Sequence, residues 1–444
     1  MIESAQSEST AYPAAHAAVP RASLAIAAFS TIVEWYDFTL YLYLAPTLAR
    51  VFFGESKHSL TITLGAFALA YLMRPLGAAF FGYGGDRFGR RRTMLWSMEL
   101  MAIAMLITGL LPSSERFGAA AGVLLVLMRC VMAFSVGGEY NGVIAYLVEG
   151  AKPERRGFVG SLASAASEVG GLLAVAVAAV VTAALDREAL DDWGWRIPFI
   201  VGALLAGSVW FARRSMAESP AFLRIQESRQ TIANPLLQAL REDRPGIVRA
   251  FAISALGSVT YYVGITYVPT YLSTASRIGE HAALSISTAA AVAVIAITPL
   301  AGLAVDAFGR RPVLIALALI GVVLPWASFA SLTSSSITIA AGAAIALALL
   351  AGGVSAVGAV ASAEQFPTRT RLSGLALGNT SSTVVFGGLA PVIAQLLLEK
   401  TQWPSSPGIL IALTALVVLP VFISMPETSP RKIRRAIRQE ELAP

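Results

Sequence analysis

One cysteine and three histidines occur in 444 residues, and only 14% of the chain is charged. The lone Cys130 excludes an intramolecular disulfide. His16, His58 and His281 lie far apart, so neither a metal-ligand spacing nor a Ser/His/Asp arrangement can be placed in the sequence. No G-x-x-x-x-G-K-[ST] stretch is present, which removes the phosphate cradle of an ATP-driven pump. A soluble globular chain carries about 25% charged residues. That shortfall, with a mean hydropathy of +0.68, excludes a soluble fold. No polar segment is large enough for a separate soluble domain, and with no catalytic cluster a membrane sensor or embedded enzyme fits poorly. Residues 1–20 hold acids near the start and no basic stretch before an apolar run, so no cleaved signal peptide is expected.

What the chain does have is apolar runs of bilayer length, roughly 20 residues each, repeated from end to end. In lipid such runs must be helices, because every backbone polar group has to be bonded internally. The expected spans are 22–47, 60–83, 92–112, 118–141, 157–185, 195–213, 247–271, 283–304, 311–331, 337–361, 372–398 and 406–425. The reading is an all-α membrane protein of twelve transmembrane helices. An even number of spans puts both termini on one side. Most of the 33 Lys and Arg residues then fall in the segments sharing that side, which makes it the cytoplasm and both termini cytoplasmic. The formal charge of +6 is thus a topology signal, and nucleic acid is not an expected partner.

The stretch GYGGDRFGRRRTM at 82–94 has a near copy, GLAVDAFGRRPVL, at 302–314. EGAKPERRG at 149 is echoed by EQFPTRTRLSG at 364, and MAESPAF at 216 by MPETSPR at 425. Three matched elements in one order mean two six-helix pseudo-repeats, 22–213 and 247–425. A polar linker, 214–246, joins them, and cytoplasmic tails, 1–21 (disordered) and 426–444, flank them. Parallel repeats of this kind are a transporter architecture with the substrate at the midplane between the halves.

GGDRFGRRR between spans 2 and 3 resembles the signature loop of the major facilitator superfamily. VEWYDFTLY in span 1, LMRPLG in span 2, GGEYNGVIAYLVEGAKPERRGFVGS from span 4 into 5, WGWRIPF opening span 6 and TYYVGITYVPTYL in span 7 resemble the metabolite:proton symporters. That subfamily includes carriers of citrate, α-ketoglutarate, shikimate and proline/betaine. The resemblance implies the major facilitator fold and gating roles for Gly82, Asp86, Gly89 and Arg90, with Asp86 facing a helix N-terminus. By repeat the same roles pass to Asp306, Gly309 and Arg310. Glu139, within GGEY, is expected to gate or to contact a loop. FGGLAP in span 11 looks more like the carboxylate carriers and VTYYVGITYVPTYL more like the proline/betaine carriers, so the substrate stays open. No long heptad tail follows span 12 of the kind that osmosensing members of the betaine group carry.

Counting 1.5 Å per residue from the helix ends puts Glu34, Arg74, Arg129 and Glu168 near mid-membrane and Asp37 slightly outward. All five belong to the first half, and the second half has no charge at that depth. Such groups are costly to bury and should face a cavity or one another. Glu34 and Asp37, three apart, share a helix face with Tyr41 continuing it. Burial favours a neutral carboxyl and a nearby guanidinium favours a charged one, so acid and arginine together make a proton switch. Glu34, Asp37 and Glu168 are the expected proton-coupling residues. Arg74 is the expected substrate anchor, because arginine grips a carboxylate with two parallel bonds; Arg129 partners the span 1 acids and joins the binding set. Tyr41, Tyr262 and Asn379 complete that set, an aromatic face suiting a quaternary ammonium. The alternative to an Asp37–Arg129 switch is a static staple of spans 1 and 4.

The expected activity is proton-coupled uptake of a small organic acid or zwitterion by alternating access, in the cytoplasmic (inner) membrane, by a monomer. It needs no cofactor, the proton gradient being the driving force, and its partners are the small-molecule substrate, protons and the lipid bilayer. The alternative on the same fold is a proton-driven exporter of drugs or metabolites, whose cavity would be more apolar.

Overall fold

Apolar runs this long close their own backbone hydrogen bonds, and the computed structural model accordingly describes a helical bundle. It describes residues 21–88, 90–137, 151–214, 235–276, 278–334, 336–367 and 370–430, with 143, 144, 148 and 432. The helices occupy twelve positions in chain order. In the first half, α1 is 21–53 with a break at Leu44, α2 is 59–88 with a break at Leu72, α3 is Arg90–Leu110, α4 is Ala119–Ser135, α5 is Arg156–Ala184 and α6 is Arg196–Arg213. In the second, α7 is Arg244–Thr274, α8 Glu280–Phe308, α9 Arg310–Leu332, α10 Ile337–Ala363, α11 371–401 and α12 Ser406–Ser424. Nine helices are long and apolar enough to cross a membrane among the described residues. The other three positions are α1, which carries Glu34, Asp37 and Arg50, and α3 and α4, whose apolar stretches are shorter. Leu204, Phe211 and Val417 point outward, as lipid-facing side chains do.

The expected charged turns are tighter than the sequence reading drew them. Helix runs on to Phe88 and resumes at Arg90, so Gly82, Asp86 and Arg90 stand on helix rather than in a loop. Their side chains, Gly89 and Glu139 lie outside the described residues, as do residues 1–20, 215–234 and 433–444. In the second copy α8 ends at Phe308 and α9 begins at Arg310. The reversal is carried by Gly309, whose φ of +96° only glycine adopts without strain. Part of the polar linker is itself helical, Pro235–Glu242.

The halves meet along two seams, α5 against α8 and α10, and α2 against α11. Small residues set the first seam. A Cβ on Gly302 would lie 2.3 Å from Ser161 Oγ and 2.9 Å from the Gly157 carbonyl oxygen, so the two backbones touch there.

Candidate functional site

Between the halves lies a cavity of about 1000 Å³, counting its open end. Trp35 of α1, Arg74 of α2 and Ser167 and Glu168 of α5 line one side. Ser254, Ser258, Tyr261 and Tyr262 of α7 and Asn379 and Thr383 of α11 line the other. It extends toward the end of the bundle bearing the two charged turns, hereafter the motif face, past Val136, Ile144, Ala359 and Ser362. The second-half wall is aromatic and hydroxyl-bearing. Ser258 donates to Thr383 Oγ1 at 3.3 Å and Ser254 donates to the Asn379 carbonyl at 3.2 Å. π-helical turns at Tyr262–Thr266, Ala376–Thr380 and Val384–Gly388 lie in this wall, and such turns recur at functional sites.

Two ion pairs organise the first half. Arg74 donates to Glu34 at 2.5 Å, and its guanidinium lies 4.2 Å over the Phe38 ring. Arg129 grips Asp37 with two bonds of 3.0 and 2.7 Å and sits 4.9 Å from the Tyr41 ring centroid. Side-chain exposure separates them: 13% for Arg74, against 2% for Arg129 and 0% for Asp37. Arg74 therefore reaches the cavity and the Asp37–Arg129 pair does not. Two expectations are corrected here. Arg129 and Tyr41, assigned to substrate, do not line the cavity: both guanidinium ends of Arg129 are spent on Asp37, and the Tyr41 hydroxyl donates to the Thr63 carbonyl at 2.9 Å. Glu34 and Asp37 share a helix but serve different arginines.

Glu168 is buried in the cavity wall, with no Lys or Arg within ion-pair distance among the described residues. One turn along α5 the Tyr261 hydroxyl rests on Gly171, 2.9 Å from where a Cβ would stand, so a side chain there would expel it. Trp35 packs edge-on to Tyr261 at 5.1 Å and stacks with Tyr262 at 6.5 Å. Trp35 and Tyr261, which line the cavity, were not assigned to the site from sequence. Tyr267 and Tyr271, on the same stretch as Tyr262, are core residues bonded to Gln395 and the Pro404 carbonyl.

The second charged turn forms a lock at the motif face. Asp306 accepts the Gly157 and Phe158 N–H groups, at 2.8 and 2.9 Å, across the seam at the start of α5. Arg310 pairs with Glu364 at 3.0 Å and approaches Asp306 at 3.4 Å. Glu427 accepts the Arg310 N–H at 2.9 Å and lays its carboxylate against Gly309. Glu364 and Glu427 belong to the repeated segments at 364 and 425, which explains why those segments carry acids. The far face is held by other contacts: Arg50 to Asp191 at 2.8 Å and, across the halves, to Glu280 at 2.6 Å, and Thr61 to Glu399 at 2.7 Å. Asp306→Asn removes the charge from the cap, worth about 1.5 kcal/mol. The expected result is a roughly tenfold faster reaction of a cysteine placed at Ser362 with a thiol reagent supplied at the motif face.

Two parallel six-helix repeats around a cavity between the halves lined by Arg74 and Glu168 define a membrane transporter of the major facilitator superfamily. The chain belongs to the sugar (and other) transporter family, whose profile matches residues 23–246 and again 226–437. It is 31% identical over 430 residues to the proline/betaine transporter of Salmonella typhimurium, covering 94% of this chain and 85% of that one. It is 30% identical over 379 residues to the citrate-proton symporter of Klebsiella pneumoniae, covering 85% of each. Among solved structures, a partially occluded inward-open conformation of the xylose transporter XylE from E. coli superimposes with a TM-score of 0.71 at 21% identity. That match covers 92% of this chain and 98% of the other and shows the shared fold.

Proposed function

We propose that the protein imports a small zwitterion together with protons by alternating access across the cytoplasmic (inner) membrane, working as a monomer with the motif face and both termini in the cytoplasm. The observation that carries this reading is one cavity holding both Arg74 and a carboxylate, Glu168, that no cation offsets among the described residues. Arg74 receives the substrate carboxylate. Glu168, with Trp35, Tyr261 and Tyr262, receives the positive end, which aromatic faces hold well. A citrate-like polyanion would meet Glu168 as a like charge. The names of the relatives support symport of small organic solutes, one of them a proline/betaine transporter. The charged cavity speaks against an exporter of apolar drugs.

Protonation of Glu34 or Asp37 releases its arginine, and release of Arg74 opens the anchor to substrate. No cofactor is required. One proton entering down 100 mV supplies about 2.3 kcal/mol, about fiftyfold accumulation. The glycine at 309 and the lock around it, with its counterpart at 82–90, serve as gates.

Proteoliposomes with a pH-sensitive dye test the reading. Glycine betaine or proline should alkalinise the outer medium, and Glu168→Gln should cut that response at least tenfold. A response to citrate or α-ketoglutarate alone would overturn the zwitterion assignment and keep symport; silence to all four would overturn both.

A further inference from the structure

Tyr71 ends the first segment of α2, one turn before Arg74, and is fully buried. Three contacts meet on it. Its hydroxyl is hydrogen-bonded to the hydroxyl of Tyr262, from the opposite half. The Arg74 guanidinium reaches the same oxygen at 3.5 Å. Its ring lies on Gly388 of α11, where an added Cβ would stand 2.7 Å from Tyr71 Cβ, and Tyr262 rests in the same way on Gly387, at 2.9 Å. A first-half tyrosine is thus seated in a glycine step of the second half and bonded to a second-half tyrosine that lines the cavity.

We infer that Tyr71 is the positioning residue that carries the state of the Glu34–Arg74 pair to the closure of the far face. With Glu34 charged, Arg74 is held against α1 and the Tyr71 oxygen. The Tyr71 hydroxyl then turns its proton to Tyr262 and ties α2 to α7. Once Glu34 is neutral, Arg74 is no longer held against α1, the Tyr71 oxygen loses its donor and the cross-half bond weakens. The α2–α11 seam is then free to part on the far side. This inference rests on the alternating-access reading above, and its test separates the two.

The probe is a cysteine at Thr270, a buried α7 position whose hydroxyl meets the Leu42 carbonyl at 3.4 Å across the halves. Cys130 is replaced by serine, and a membrane-impermeant maleimide is added at the far face, so no substrate need be known. Tyr71→Phe keeps the ring and removes the bond. It is expected to raise the labelling rate at least tenfold, as is Tyr262→Phe. Glu34→Gln should raise the rate by a similar factor alone and by less than twofold on top of Tyr71→Phe. The inference is overturned if Tyr71→Phe labels at the parental rate while Glu280→Gln, which breaks the far-face ion pair, labels faster. It is equally overturned if the Glu34 and Tyr71 effects multiply in full, since Tyr71 would then be a packing contact. If no variant labels faster, Glu280→Gln included, the alternating-access reading falls with it.

Discussion

Replacing Arg74 with lysine is expected to lower coupled uptake about a hundredfold while the protein still reaches the membrane. The guanidinium does three things at once: it pairs with Glu34, reaches the Tyr71 oxygen and sits over the Phe38 ring. An ammonium keeps the charge but has neither the planar fork nor the face that stacks on a ring. Losing a charge-assisted bond costs about 1.5–3 kcal/mol, and a hundredfold corresponds to the upper part of that range. Lysine leaves Glu34 a cation, so the bundle should fold. The measurement is the initial rate of uptake driven by an imposed pH gradient, at matched amounts of reconstituted protein. A variant that accumulates substrate normally would remove Arg74 from the binding machinery.

Asp37→Asn is expected to be the most damaging single change in the first half. Both partners of the Asp37–Arg129 pair are sealed from water, and removing one charge strands the other at a cost of about 3–5 kcal/mol. The variant should unfold several degrees lower in detergent and lose gradient-driven accumulation. Adding Arg129→Gln removes the stranded charge and should restore most of the melting temperature. Transport by that double variant then decides between the two roles of the pair. A pair that only staples α1 to α4 predicts normal accumulation. A proton switch predicts a folded protein that exchanges substrate but no longer accumulates it, and this second result is the expected one.

Direction around the helix was not legible in the sequence. Counting residues from the span ends put Glu34, Arg74, Arg129 and Glu168 at one height, yet only Arg74 and Glu168 of these face the cavity. Arg129 turns inward to Asp37, a choice made by packing between α1 and α4 that a single helix does not reveal. The aromatics show the same limit. Nothing in TYYVGITYVPTYL separates Tyr261 and Tyr262 in the cavity from Tyr267 and Tyr271 in the core, because the π-helical turn at Tyr262–Thr266 shifts the helix face partway through the run. The repeat, by contrast, was fully visible. It located the Gly309 turn and the acids at 364 and 427 that hold it, although it did not say they would meet.

The unequal split of charge between the halves has an electrical consequence. At mid-depth, among the described residues, Glu34 balances Arg74 and Asp37 balances Arg129, so an unloaded carrier with Glu168 ionised holds one net negative charge there. A zwitterion adds nothing to that sum and one proton adds a positive charge, so the loaded carrier is neutral whichever carboxylate takes the proton. On the proposed cycle the membrane voltage does not push the cargo inward. It drives the outward return of the unloaded, negatively charged protein, so hyperpolarisation shortens the reset between turnovers and leaves the loaded crossing untouched.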